Sequence, residues 1–268
     1  MRIDSPRMAR VLAVANQKGG VGKTTSAVNL AASLAAREHK TLLIDLDPQG
    51  NAGSGLGIIR GTIPSVYDAI LGGKSLSEVR RPTELRFLEL CPAHRDLVGA
   101  EIELVSLPRR EFRLRDAVAE IAPEYDHVII DCPPSLGLLT VNALCAAQAV
   151  LIPLQAEYYA LEGLTELTQT VEAVRAELNP ELLIEGIVLT MFDPRNNLAH
   201  QVQTDVRQYF GERVYETVIP RNVRLSESPS HGKPILLYDI ESRGCQAYLS
   251  LARELIERQG RPSISRAG

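Results

Sequence analysis

The segment Gln17-Lys18-Gly19-Gly20-Val21-Gly22-Lys23-Thr24-Thr25 has the residues of a phosphate-binding loop, with one lysine more than usual. The ordinary spacing is a glycine, four residues of any type, then Gly-Lys-Ser/Thr. Gly22, Lys23 and Thr24 supply the second half. Gln17 stands where the first glycine is due, and Lys18 and the pair Gly19-Gly20 come in its place. Glycines let successive backbone N–H groups turn toward one centre, and a helix N-terminus adds partial positive charge there. The loop therefore predicts a bound nucleoside triphosphate. Lys23 would reach the β- and γ-phosphates, the Thr24 hydroxyl would ligate Mg²⁺, and Thr25 would sit near the α-phosphate. The plain alternative is a glycine-rich turn without a ligand, against which stand a lysine and a threonine at the required places.

Two acidic motifs follow apolar runs. Asp45-Leu46-Asp47-Pro48-Gln49-Gly50-Asn51 comes after Leu42-Leu43-Ile44, and Asp131-Cys132-Pro133-Pro134-Ser135 comes after Val128-Ile129-Ile130. An aspartate at a strand end beside a phosphate loop fits the carboxylate that holds Mg²⁺, directly or through water, and Asp131 takes that role here. Asp47, in a loop with proline and glycine, can orient the water that attacks the γ-phosphate. The competing reading of each is a solvated turn aspartate or a helix N-cap.

A third cluster runs from Ile219 to Pro234. Backbone held by Pro220 and an amide such as Asn222 can read an adenine edge, while Arg221, Arg224 and Lys233 give local positive charge. Arg195 in the loop Met191–Asn197 adds another cation. Solvated surface arginines among Asp205, Glu212 and Glu227 are the alternative, and phosphate binding requires these side chains to share a face.

These motifs need elements that aim them. Strand-like apolar runs occur at Val11–Ala15, Thr41–Ile44, Phe87–Leu90, His127–Ile130, Ala149–Leu154 and Ile187–Thr190, with Val214–Ile219 as a further candidate. Helical spacing fits 26–35, 110–121, 137–146, 160–178, 198–210 and 243–258. This alternation predicts an α/β fold of the P-loop NTPase type: one doubly wound, mostly parallel sheet with helices on both faces. Ligands in such folds lie at the carboxyl ends of the strands, where the motifs fall. The chain reads as a loose extension over 1–8, one ATPase domain over 9–258 and a disordered tail over 259–268.

The 268 residues are 45% hydrophobic with a net charge of -4, so any nucleic-acid binding must come from a local patch. Cys91, Cys132, Cys145 and Cys245 form no C-x-x-C pair and read as reduced thiols of a cytoplasmic protein. No apolar run is long enough to span a bilayer, and no signal-peptide core is present.

Taken together, Asn16–Thr25, Asp45–Asn51, Asp131–Ser135 and Pro220–Glu227 resemble the ParA/Soj branch of the ParA–MinD family of ATPases, in the family's order and over nearly the whole chain. His231-Gly232-Lys233-Pro234 is similar to the chromosomal members. The resemblance implies that ATP, with Mg²⁺, is sandwiched in a homodimer, with Lys18 reaching the partner's phosphates. It implies that Pro220 and Asn222 contact adenine, and that Arg195 and Arg224 bind double-stranded DNA without sequence preference. It further implies association with the nucleoid and a ParB-type centromere-binding partner that stimulates hydrolysis, in chromosome or plasmid partitioning. A MinD-like membrane-associated ATPase for division-site placement would need a C-terminal amphipathic basic helix, which Gly260 and Pro262 disfavour. A nitrogenase-type iron protein would need cluster cysteines, and Cys132 and Cys145 read better as buried thiols. An ATP-switched DNA-binding regulator of replication overlaps the favoured cycle. A sequence-specific repressor would need a helix-turn-helix extension ahead of the loop.

Overall fold

The computed structural model describes residues 9–157 and 160–259. The extension over 1–8 and the tail from 260 onward lie outside the described residues, while Gln259 still belongs to the last helix.

The strands are β1 (Arg10–Val14), β2 (Thr41–Asp45), β3 (Arg81–Pro82), β4 (Leu88–Cys91), β5 (His127–Asp131), β6 (Ala149–Gln155) and β7 (Leu183–Thr190). They form a seven-stranded sheet in the order β3-β4-β2-β5-β1-β6-β7. Every pair is parallel except β3 with β4. The expected doubly wound sheet of P-loop type is present. β1 lies inside the sheet, between β5 and β6, and its residues from Val11 onward are apolar on both sides. Val11 and Ala13 enter one core with Val128, Ile130 and Ile152, whereas Leu12 and Val14 enter the other with Leu43 and Ile129. Period-two alternation between two dry cores is how a strand covered on both faces must read.

Helices Lys23–Ala35 and Arg243–Gln259 cover the second face; helices Arg113–Ile121, Leu138–Ala146, Ala160–Glu177 and Asn197–Phe210 cover the first. Helix Lys23–Ala35 is buried almost all round because it is wedged between the sheet and Arg243–Gln259, where Ser26 Oγ and the buried Tyr248 hydroxyl lie 3.1 Å apart.

Two expectations are corrected. Val214–Ile219 is not a strand. It runs beside β7 and donates from Tyr215 N to Ile187 O and from Ile219 N to Leu189 O, 2.8 Å each. Between those points the N–H groups of Glu216 and Thr217 go to the Glu254 carboxylate at 2.9 Å each, so no ladder forms. The Tyr215 ring lies over Gly186, where a Cβ would meet its Cε2 at 2.6 Å. The edge strand β3 was not expected. It has two residues, and Pro82 can sit there only because an edge strand leaves one side unpaired.

Candidate active site

The loops after β1, β2, β5 and β7 converge at the carboxyl edge of the sheet. After β1, the buried Asn16 fixes the start of the glycine loop. Its Nδ2 donates to Pro153 O at 2.8 Å and its Oδ1 accepts from Lys18 N at 2.9 Å. Gly20 (φ 74) and Gly22 (φ 89) adopt the left-handed region that glycine tolerates. Gly22 is the N-cap of helix Lys23–Ala35, with no side-chain cap and no acidic residue in the first turn, so the helix presents its free N–H groups to an incoming anion. A Cβ on Gly19 or Gly20 would meet nothing within 4 Å, which marks an open cradle. Thr190 Oγ1 donates to Val21 O at 2.8 Å and pins the loop to the end of β7. Lys23 Nζ folds over the loop and donates to Lys18 O at 2.9 Å. Burial holds its pKa below the ordinary lysine value, against the pull of Asp131, Cys132 and Asp47.

β2 and β5 are neighbours, and their register sets Asp45 opposite Asp131. Both carboxylates are fully buried. Asp131 has no hydrogen-bond partner of sound geometry on either oxygen. Its pKa is raised well above the ordinary range, first by burial and then by Asp45, while the nearby Thr24 hydroxyl and Lys23 pull the other way. Asp45 is raised to about 7 by burial, eased by the Gly53 N–H and reinforced by the negative charge of Asp47. Its oxygens accept from Gly53 N at 3.0 Å and Asp47 N at 3.2 Å. Asp47 Oδ1 accepts from Gln49 N at 2.9 Å, closing the turn that leads to the left-handed Gly50 and the short helix Asn51–Gly55. A buried carboxylate with two bare oxygens, beside a lysine and a threonine hydroxyl at an open helix N-terminus, has the donor set of a magnesium polyphosphate site. Sequence reasoning left Asp45 without a role. The D-x-D spacing was its signal, since alternate residues leave a strand end on the same side.

A cavity of ≈ 430 Å³ opens beside the glycine loop, lined among others by Gly22, Thr25, Thr190, Met191, Pro220 and Asn222. Two segments build it. Phe192 N donates to Ile219 O and Arg221 N to Phe192 O, 3.0 Å each. Pro220 and Asn222 thus line the same cavity as Thr25. Asn222 also caps helix Val223–Glu227, its Oδ1 accepting from Arg224 N at 2.9 Å.

The family model described as an AAA domain matches residues 9–184. The chromosome partitioning protein ParA of Myxococcus xanthus is 62% identical over 252 residues, covering 94% of this chain and 89% of the relative. The chromosome-partitioning ATPase Soj of Treponema pallidum is 53% identical over 253 residues, covering 94% and 99%. The chain belongs to the ParA/Soj family of chromosome-partitioning ATPases. Among solved structures, a Mycobacterium smegmatis protein described as cobyrinic acid a,c-diamide synthase, with bound ADP and magnesium, superposes with a TM-score of 0.83. It is 38% identical and covers 94% of this chain and 96% of its own.

Lys18, Arg195 and Arg224 lie at the rim of the site, at least partly exposed. Lys18 Nζ pairs with Glu157 Oε2 at 2.8 Å, both side chains nearly half exposed (43% and 47%). Such a surface pair is worth about 0–1 kcal/mol, so it does not fix the lysine. Arg195 is 87% exposed and bound at both ends by the Asp193 carboxylate, Nε to Oδ1 at 3.0 Å and Nη2 to Oδ2 at 2.8 Å. Arg224 Nη1 bonds Glu227 Oε2 at 3.0 Å, and its Nε lies 3.3 Å from Asp239 Oδ2. The structure thus brings the two loops together but gives each guanidinium a carboxylate partner. Exposed Arg221, with no ion pair within 4.0 Å among the described residues, lies near Asp193 and lowers its pKa together with Arg195. Among the described residues, no helix is long and apolar enough to cross a membrane.

If Arg195 meets DNA phosphate, Asp193 competes with it. Asp193→Asn is expected to raise affinity for arbitrary duplex DNA about threefold to tenfold and to steepen the salt dependence, whereas Arg195→Glu or Arg224→Glu should weaken binding and flatten it. DNA retention titrated against salt reads both, and unchanged retention in all three variants would place the patch elsewhere.

Proposed function

We propose that this chain is a DNA-partitioning switch that pairs with a second copy around ATP, binds duplex DNA without sequence preference in that state, and is released by ParB-stimulated hydrolysis. The single observation that supports this best is Asp131. A fully buried carboxylate with two bare oxygens, next to Asp45 and Lys23, is an unfavourable arrangement that a magnesium nucleotide relieves. The Thr24 hydroxyl and Asp131 would hold Mg²⁺, which when bound would supply positive charge against the phosphates. Gly19, Gly20, Val21 and Gly22 wrap the phosphates with backbone N–H groups, the Lys18 N–H being held by Asn16, and Lys23 turns its ammonium from the Lys18 carbonyl to the β- and γ-phosphates. Thr25 faces the α-phosphate. Asn222 gives one lone pair of its oxygen to the cap, and its NH₂ would donate to a ring nitrogen of adenine. Pro220 packs on the same ring.

Asp47 lies in the turn just beyond Asp45 and orients the attacking water. Asp47→Ala is expected to keep ATP binding and to lower phosphate release at least tenfold; normal release by that variant would remove Asp47 from this role. Lys18 leaves Glu157 and reaches the partner's phosphates, so ATP joins the two subunits. A dimer presents the Arg195 and Arg224 surface twice, which lets nucleotide state set DNA affinity despite the acidic chain. Nucleoid association in the cytoplasm follows from the same property, with residues 9–258 acting as one ATPase domain.

The deciding experiment is retention of arbitrary duplex DNA with ATP, with ADP and without nucleotide. Retention with ATP alone is expected. Equal retention in the three states would overturn the switch.

A further inference from the structure

We propose that Glu101 is a positioning residue for the loop that leaves Asp131, acting through Gly137. Glu101 lies on helix Leu97–Glu103, far in sequence from every motif named above. Its carboxylate rests on the Cα of Gly137. A Cβ at position 137 would overlap Oε1 and stand 2.7 Å from Cδ. Gly137 has φ -77 and ψ -171, ordinary extended backbone that any residue adopts. A side chain at position 137 would therefore displace the carboxylate rather than strain the backbone.

Gly137 is the N-cap of helix Leu138–Ala146, which has no side-chain cap and no acidic residue in its first turn. Glu101 therefore brings the negative charge that this helix start lacks, from another helix. Its Oε1 is buried and has no hydrogen-bond partner, so the contact depends on shape and on the field of the helix end. The body of that helix is fixed independently. Asn142 Nδ2 donates to Arg110 O at 2.8 Å and its Oδ1 accepts from Leu114 N at 3.1 Å. At the other end, Asp131 is fixed in the sheet and Cys132 N donates to Val14 O at 3.2 Å. Residues 133–137 are the free span between these anchors, tied midway where Thr140 Oγ1 donates to Ser135 O at 2.5 Å. Glu101 sets the far end of that span. Its helix starts just after Pro92–Arg95, which line a cavity with Asp45, Gln49 and Gly50. The segment after β4 and the loop after β5 are thereby joined behind the nucleotide site.

This inference rests on the reading of Asp131 as the magnesium carboxylate. The test compares Glu101→Ala, Glu101→Gln, Gly137→Ala and the double variant Glu101→Ala/Gly137→Ala in the full chain. Single-turnover ATP hydrolysis, affinity for a fluorescent ATP analogue with Mg²⁺, and Tm are measured for each. Glu101→Ala is expected to slow hydrolysis about tenfold, with affinity within about threefold and Tm within a few degrees of wild type. Glu101→Gln, of the same shape, should fall between. Gly137→Ala should expel the carboxylate and match Glu101→Ala, and the double variant should be no slower than either, because the new methyl fills the vacated space. Hydrolysis within twofold of wild type in Glu101→Ala and in Gly137→Ala overturns the proposal, as does a loss of rate matched by equal losses of affinity and Tm. Failure of the underlying reading looks different: Asp131→Asn would then leave magnesium-dependent affinity unchanged, whatever Glu101 does.

Discussion

Asp131→Asn is expected to make the nucleotide-free protein more stable and to abolish its response to magnesium ATP. In the free chain Asp131 is buried without a hydrogen-bond partner, opposite Asp45 and close to Asp47, with Lys23 as the nearby cation. Burial raises the pKa of both Asp131 and Asp45, the latter to about 7. A carboxyl group whose folded pKa exceeds its unfolded value binds protons more tightly in the folded state, so stability is present at low pH and is lost as pH rises from about 4 through the folded pKa. At pH 8, above the folded pKa of Asp45, the wild type therefore carries the cost of holding this carboxylate pair. Replacing one carboxylate by an amide should recover about 1–3 kcal/mol there and flatten the fall of Tm between pH 5 and 8. Exposed carboxylates with lowered pKa, such as Glu78 and Asp193, tilt the profile in the opposite sense but equally in both proteins, so they cancel in the difference. Magnesium ATP should raise the wild-type Tm by several degrees and leave the variant unmoved, since ligand stabilisation follows affinity. Thermal melts across pH, with and without magnesium ATP, read both effects. A variant that melts below wild type at pH 8, or that magnesium ATP still protects, would refute the assignment.

Lys18→Ala is expected to leave the monomer and its ATP binding nearly intact while removing ATP-dependent dimers. The side chain contributes only a half-exposed pair with Glu157, so the fold loses about 0–1 kcal/mol. The backbone of residue 18 stays in place, because Asn16 accepts its N–H and Lys23 donates to its carbonyl. Neither contact involves the lysine side chain. If each Lys18 donates to the partner's phosphates, two charge-assisted hydrogen bonds are lost per dimer, each worth about 1.5–3 kcal/mol. The sum, about 3–6 kcal/mol, weakens dimerisation by roughly 10²- to 10⁴-fold. Sedimentation with ATP and magnesium measures it, and an intact ATP dimer in the variant would show that Lys18 acts within its own subunit.

Local pattern alone determined a good part of this protein. Gly20, Gly22, Lys23 and Thr24 announced the phosphate loop because left-handed backbone and a lysine at fixed spacing have few other uses. The buried strands were legible as apolar runs, since a strand covered on both faces admits no polar side. Val214–Ile219 was misread for the same reason: its side chains suit a strand, but Glu254 takes the N–H groups a ladder would use. Tertiary structure decided what depends on distance between segments remote in sequence. Only the register of β2 with β5 sets Asp45 against Asp131 and makes that pair electrostatically costly. Folding alone joins Lys18 to Glu157, binds Arg195 and Arg224 to carboxylates, and lays Glu101 on Gly137. The chain's residue types fix which groups can bind phosphate, whereas the field each group feels, and hence its protonation and its freedom to act, arises from neighbours that only the folded sheet brings within a few ångströms.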